Sequence, residues 1–181
     1  MLNNNVTEKK TKDNIVELHI KDPGFSVTEA FNTLRTNIMF SGENIKTVMV
    51  TSTNPAEGKS FVAMQLAKSF ADINKKVVYI DCDLRKSVTL SRYKIRGKRV
   101  GLTEYITGQK SQLIYETNIP NLAVILSGHV VPNPIELMES KKFDDLLSVL
   151  RERFDYVIID SPPVGSVVDA CVIAPKVDGT V

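Results

Sequence analysis

Thr53-Asn54-Pro55-Ala56-Glu57-Gly58-Lys59-Ser60 is the stretch on which the fold turns. Just before it, residues 47–51 (Thr-Val-Met-Val-Thr) are apolar and β-branched, as a buried strand requires. After it, Val62, Ala63, Leu66, Ala67 and Phe70 recur along one face of a helix. A loop between such a strand and helix presents backbone amides and a helix N-terminus to a phosphate group. Gly58 lets the backbone approach that group, Lys59 can reach β and γ oxygens, and the Ser60 hydroxyl can ligate Mg²⁺. Pro55, Ala56, Glu57 and Phe61 complete the expected nucleotide cradle. Thr53 stands where such loops usually carry their first glycine, so this loop must tolerate a side chain there.

Outward from the loop, strand and helix patterns alternate. Strands are expected at 77–81, 122–126 and 156–160, and helices at 102–106, 134–139, 141–153 and 167–175, with an irregular region over 84–100. Upstream, Ser26-Val27-Thr28-Glu29 has the spacing of a capping box, and Val27, Ala30, Phe31, Leu34 and Ile38 continue as a helix over 27–40. Residues 1–24, rich in Asn, Lys and Thr, read as a mobile arm with a short strand within 15–20, leaving 25–181 as one domain. Strands separated by helices imply an α/β architecture, a mostly parallel sheet with helices on both faces.

Ligands of such sheets bind at the carboxyl ends of the strands, and two further strands end in charge. Val77-Val78-Tyr79-Ile80-Asp81-Cys82-Asp83-Leu84-Arg85 closes on two carboxylates and a guanidinium. If the chain stays extended, Asp81 and Asp83 project to the same side, where they can bind Mg²⁺ through water or accept a proton from an attacking hydroxyl. The alternative is that they simply form the turn. Tyr156-Val157-Ile158-Ile159-Asp160-Ser161-Pro162-Pro163 ends in Asp160, suited to hold Mg²⁺ beside Ser60. The three motifs in this order specify a nucleotide-binding fold.

Composition excludes other classes. The chain has 181 residues, 43% hydrophobic and 24% charged, with 23 Lys plus Arg against 21 Asp plus Glu, a net +2 that implies no nucleic-acid partner. No apolar run approaches the roughly 20 residues of a membrane span. Cys82 and Cys171 are too few for a disulfide framework, and no leader pattern is evident, which together favour a reducing cytoplasm. Arg92, Lys94, Arg96, Lys98 and Arg99 form a basic cluster, read either as a solvated loop or as a receiver for an acidic tail or partner. His129 is placed on the surface, Tyr79 and Tyr156 in the core, and Tyr93, Tyr105 and Tyr115 in more accessible positions. The last residues, Asp178-Gly179-Thr180-Val181, read as a turn and the first residues of a strand.

The order of these motifs resembles the bacterial tyrosine kinases of capsular and exopolysaccharide biosynthesis, over about residues 25 to 181. Further matching segments are residues 29–37, Gly101-Leu102 with Tyr105, Pro132-Asn133-Pro134 with Glu136-Leu137, and Asp169-Ala170. The resemblance implies a P-loop NTPase fold shared with partitioning ATPases, and phosphoryl transfer from ATP with Mg²⁺ to tyrosine; it also implies that the strand from Thr180 pairs beside strand 47–51, so the domain is expected to be short of its last strands. It casts Lys59, Asp81, Asp83 and Asp160 as catalytic, Ser60, Asp81, Asp83 and Asp160 as metal ligands, and Arg85 as steadying phosphate charge or the loop. It also implies oligomerisation through a Glu-x2-Arg-x2-Arg pattern, which here reads Glu29, Asn32 and Arg35. A membrane-embedded polysaccharide chain-length protein is the implied activator, holding the chain at the inner face of the membrane, and tyrosine-rich proteins are the implied acceptors. Two other readings stay open. One is a partitioning-type ATPase switch, although such proteins usually carry a lysine early in this loop, where the chain has Asn54 and Pro55. The other is an inactive nucleotide-binding module.

Overall fold

Apolar residues on both faces of each central strand have to be covered twice, and the chain does so with two helical layers. The computed structural model of the protein describes residues 14–181 apart from Lys98, so that member of the basic cluster lies outside the described residues, as do residues 1–13 of the expected arm. The strands are β1 (Ile15–Val16), β2 (Thr47–Val50), β3 (Val77–Asp81), β4 (Tyr115–Thr117), β5 (Leu122–Ile125), β6 (Tyr156–Asp160) and β7 (Gly179–Thr180). They form one sheet in the order β1-β4-β5-β3-β6-β2-β7. Every pairing is parallel except β4 with β5.

Strand periodicity sorts the core. Val48, Val50, Tyr79, Val124 and Ile158 face α1 (Phe25–Phe40) and α2 (Lys59–Asp72), meeting Phe31, Leu66 and Phe70. Their neighbours Met49, Val78, Ile80, Ile125, Val157 and Ile159 face the other layer. There α4 (Leu102–Ile106), α5 (Pro134–Glu139), α6 (Lys141–Arg153) and α7 (Asp169–Ile173) bring Leu102, Met138, Phe143, Leu150 and Ile173. The irregular region contains one turn of helix, α3 (Thr89–Arg92).

Several local expectations change. The capping box does not form: α1 starts at Phe25 with Gly24 in the capping position and no side-chain cap, and Ser26 lies inside the first turn. Within the stretch read as an arm, Val16 and Leu18 are buried, and β1 pairs with β4, itself too short and polar to stand out in the sequence. The strand at the end of the chain lies beside β2 as expected, with Val48 opposite Gly179 and Met49 opposite Thr180.

Asp178 ties that end of the sheet together. Its Oδ2 accepts the amides of Lys46 (2.9 Å) and Thr47 (2.8 Å) and the Thr47 hydroxyl (2.8 Å), while Oδ1 accepts Arg151 Nη2 at 2.7 Å. Burial alone would raise its pKa, but these donors outweigh it and hold the carboxyl at about 2. A depressed folded pKa contributes stability above the unfolded value of roughly 4, lost as pH falls towards about 2. Screened by solvent, the loss in Asp178→Asn is expected to be about 1 kcal/mol at pH 7, and urea titrations should show that gap closing between pH 4 and 2. A gap independent of pH would contradict this role.

Candidate functional site

β3, β6 and β2 are neighbours in the sheet, and this adjacency assembles the site. Asp81 at the end of β3 is in register with Asp160 at the end of β6, which is in register with Val50 at the end of β2. Three motifs distant in sequence therefore open onto one edge.

The loop after β2 curls back on itself. Ala56 (φ 65°) and Gly58 (φ 97°) both adopt left-handed backbone, which a side chain disfavours and glycine accepts freely. Glu57 is turned back onto the loop, its carboxylate accepting the Asn54 amide and side chain, both at 2.9 Å; these bonds lower its pKa. The side chain of Thr53 is accommodated because the close approach falls elsewhere. Thr53 O accepts the Gly165 amide at 3.0 Å, and a Cβ on Gly165 would come within 2.4 Å of that oxygen. Pro55 is exposed, and the Phe61 ring packs edge-on against Phe31 at 5.9 Å, so that side chain serves the α1–α2 contact.

Lys59 stands among the carboxylates. Its Nζ is 3.5 Å from Asp83 Oδ2, 3.9 Å from Asp160 Oδ1 and 3.4 Å from Ser60 Oγ. Asp160 is 1% exposed; its Oδ2 accepts the Tyr79 hydroxyl at 2.9 Å, and its Oδ1 is buried without a hydrogen bond. Burial raises the Asp160 pKa, with the Lys59 ammonium opposing. β3 ends at Asp81, and the two carboxylates take different partners in the segment that follows. Asp81 Oδ1 accepts the Asp83 amide (3.1 Å) and Oδ2 accepts the Ser87 hydroxyl, whereas Asp83 Oδ1 accepts the Lys86 amide (2.9 Å). The two carboxylates thus form the turn, yet Asp83 also reaches Lys59. Burial, reinforced by the charge of Asp160, pushes Asp81 up to about 7.

The donor set fits Mg²⁺. Ser60 Oγ and the unbonded Asp160 Oδ1 are hard oxygens, and Mg²⁺ is commonly held by one or two carboxylates completed by water and substrate phosphates. Among the described residues no three acidic, imidazole or thiol side chains could cage a metal by themselves.

Arg85 is committed elsewhere. Its Nε and Nη2 pair with the buried Asp169 carboxylate at 2.8 and 3.0 Å, tying the turn after β3 to the start of α7. On α1, Asn32 Nδ2 donates to Glu29 Oε1 (2.8 Å), and Arg35 Nη1 donates to Asn32 Oδ1 (2.9 Å) and to Ser69 O (2.7 Å). The missing charge at Asn32 is thus replaced by an amide that links its two neighbours.

Tyr79 and Tyr93 are site-supporting residues that the sequence did not reveal. Tyr79 was expected in the core but not against Asp160, and its hydroxyl also lies 3.1 Å from Thr89 Oγ1. Tyr93, expected to be accessible, is 4% exposed and donates to Ser60 O at 3.1 Å. Tyr115 is likewise buried, bonded to the Val100 backbone, while Tyr105 is half-buried beneath Lys142. His129 is exposed and paired with Glu104. No helix among the described residues is long and apolar enough to cross a membrane.

Comparison with known proteins places this geometry. The AAA domain family matches residues 45–175. Tyrosine-protein kinase CpsD of Streptococcus pneumoniae serotype 4 is 46% identical over 155 residues, covering 84% of this chain and 68% of that protein. The kinase domain of the Escherichia coli tyrosine kinase ETK superposes with a TM-score of 0.83 at 32% identity, covering 89% of this chain and 64% of that one. The chimerical protein CapA2B2 superposes with a TM-score of 0.83 at 29% identity, covering 91% and 77% respectively.

Proposed function

The chain belongs to the bacterial tyrosine-protein kinases, and from that premise we propose that it transfers the γ-phosphoryl group of MgATP to tyrosine hydroxyls in the control of capsular or exopolysaccharide synthesis. The observation that carries this reading is Lys59, held between Asp83 and Asp160 at the edge where β2, β3 and β6 end.

The loop amides from Ala56 to Ser60 and the start of α2 take the phosphates, with Pro55 shaping the loop without donating, and Lys59 moves its charge from the carboxylates to the β and γ oxygens. Ser60 and Asp160 would hold Mg²⁺, with Asp81 supporting it through water, and the bound ion would neutralise charge on the phosphates. Asp83, released from Lys59 by the incoming nucleotide, accepts the tyrosine proton as the phenolic oxygen bonds to phosphorus and the bond to ADP breaks. A free tyrosine has a pKa near ~10, so a placed carboxylate lowers the cost of that step. Tyr79 orients Asp160, and Arg85 steadies the turn that carries Asp83.

Family likeness supports a membrane-embedded activator, attachment through it to the inner face of the membrane, tyrosine-rich protein acceptors and assembly of copies through the Glu29, Asn32 and Arg35 face of α1. Asp83→Asn tests the assignment, because asparagine can still accept the Lys86 amide. Phosphotyrosine formation should fall about a hundredfold while affinity for a fluorescent ADP analogue changes less than severalfold. Unchanged transfer would remove Asp83 from the mechanism.

A further inference from the structure

α2 presents Phe61, Gln65, Lys68 and Asp72 along one face, at spacings of four, three and four residues. Two cavities lie end to end along this face, about 350 Å³ at the Asp72 end and about 610 Å³ at the Phe61 end, and Ile20, Lys21 and Gln65 line both. The span from 61 to 72 corresponds to roughly 16 Å of helix, the length of about five extended residues. Such a groove is far longer than an inorganic anion.

Its two ends differ in charge. At the Phe61 end the walls are Phe61, Ile20 and Tyr93, the rim is Lys21, Arg92 and Lys94, and no carboxylate lines it. The three cations are exposed, and no ion pair ties them to other described residues. At the other end, Asp72 is already paired with Lys68 at 2.7 Å and Asp22 accepts the Gly24 amide at 2.8 Å. Unpaired cations around an apolar cleft favour an anionic chain that also brings an apolar side chain, and the concave shape suits a peptide better than a flat lipid surface. The groove abuts the site of transfer, because Phe61 follows Ser60 and the Tyr93 hydroxyl donates to the Ser60 carbonyl.

We infer that this groove docks an acidic stretch, about five residues long, of a tyrosine-bearing protein acceptor. Its carboxylates meet Lys21, Arg92 and Lys94, and one apolar or aromatic side chain rests on Phe61 and Tyr93. The inference takes the kinase reading as its basis and names the acceptor chemistry.

The test is fluorescence anisotropy of a labelled Glu-Glu-Glu-Tyr-Glu peptide on the whole chain without nucleotide. Binding should weaken with salt and fall at least about tenfold in Arg92→Glu/Lys94→Glu. A charge-matched Lys110→Glu/Lys141→Glu variant should stay within about twofold, and all three proteins should bind a fluorescent ADP analogue equally, which shows that they are folded. Equal losses in both variants would overturn the groove, as would binding of phosphatidylserine vesicles through Arg92 and Lys94 with no binding of the peptide. Phosphotyrosine formation on an acceptor without acidic residues is scored separately. Transfer without peptide binding sinks the groove alone, and peptide binding without transfer sinks the kinase reading alone.

Discussion

Lys59→Met is expected to lower phosphotyrosine formation by about a thousandfold while leaving the far-ultraviolet circular dichroism of the native chain intact. The lysine is the one cation within salt-bridge distance of Asp83 and Asp160 among the described residues. Its loss removes the charge proposed to meet the β and γ oxygens and leaves the carboxylates of Asp83 and Asp160 without their shared cation. In water-poor surroundings these carboxylates respond by holding protons more tightly, the ordinary consequence of burial and like charge, so the fold survives with a lower melting temperature. Lys59→Arg keeps the charge but spreads it over a planar group, and should recover part of the stability without recovering the rate. Residual activity within tenfold of the native chain would show that phosphate charge is met elsewhere.

The second large effect lies outside the chemistry. A Cβ added to Gly101 would come within 2.1 Å of Gly128 N, 2.5 Å of Gly128 Cα and 2.5 Å of Leu126 O. All three are backbone atoms, held by the Leu102 amide on Leu126 O (2.7 Å) and the Thr103 amide on Ser127 O (3.0 Å). No side chain can swing away, so the start of α4 must separate from the segment after β5. Gly101→Ala should therefore cost roughly 3 kcal/mol and lower the melting temperature by about 10 °C. Gly179→Ala, whose added Cβ meets nothing within 4 Å, is the matched control and should be nearly neutral. Equal melting temperatures for the two variants would mean that this close packing gives way easily.

Much of this arrangement was legible in the residues because its signals are local. The continuous apolar runs of β3 and β6 announce strands covered on both sides, and Gly58-Lys59-Ser60 announces a phosphate loop at a strand end. Information carried by tertiary contacts was not legible. The partners of Asp81 and Asp83 lie in the turn after β3, where the Ser87 hydroxyl and the Lys86 amide meet them, and no strand pattern announces those bonds. The destination of Arg85 depends on Asp169, 84 residues away. Tyr93 lies outside the apolar strands and reads as accessible, yet it is buried and its hydroxyl reaches Ser60 O. Ser26 has the right spacing for a cap, but Gly24 already takes the turn into α1. β4 escaped notice because three residues with a central glutamate carry no periodicity.

Membership of the tyrosine-protein kinases, more than the geometry of Lys59, Asp83 and Asp160, favours transfer of the phosphoryl group to an acceptor over its release to water. Following the γ-phosphate is the most direct measurement. The native chain is incubated with γ-labelled ATP, Mg²⁺ and an acidic tyrosine-bearing protein, and the label is divided between phosphotyrosine and free phosphate. Label is expected on tyrosine, and it disappears in Lys59→Met. Label appearing in free phosphate alone would contradict the kinase reading and identify an ATPase switch instead.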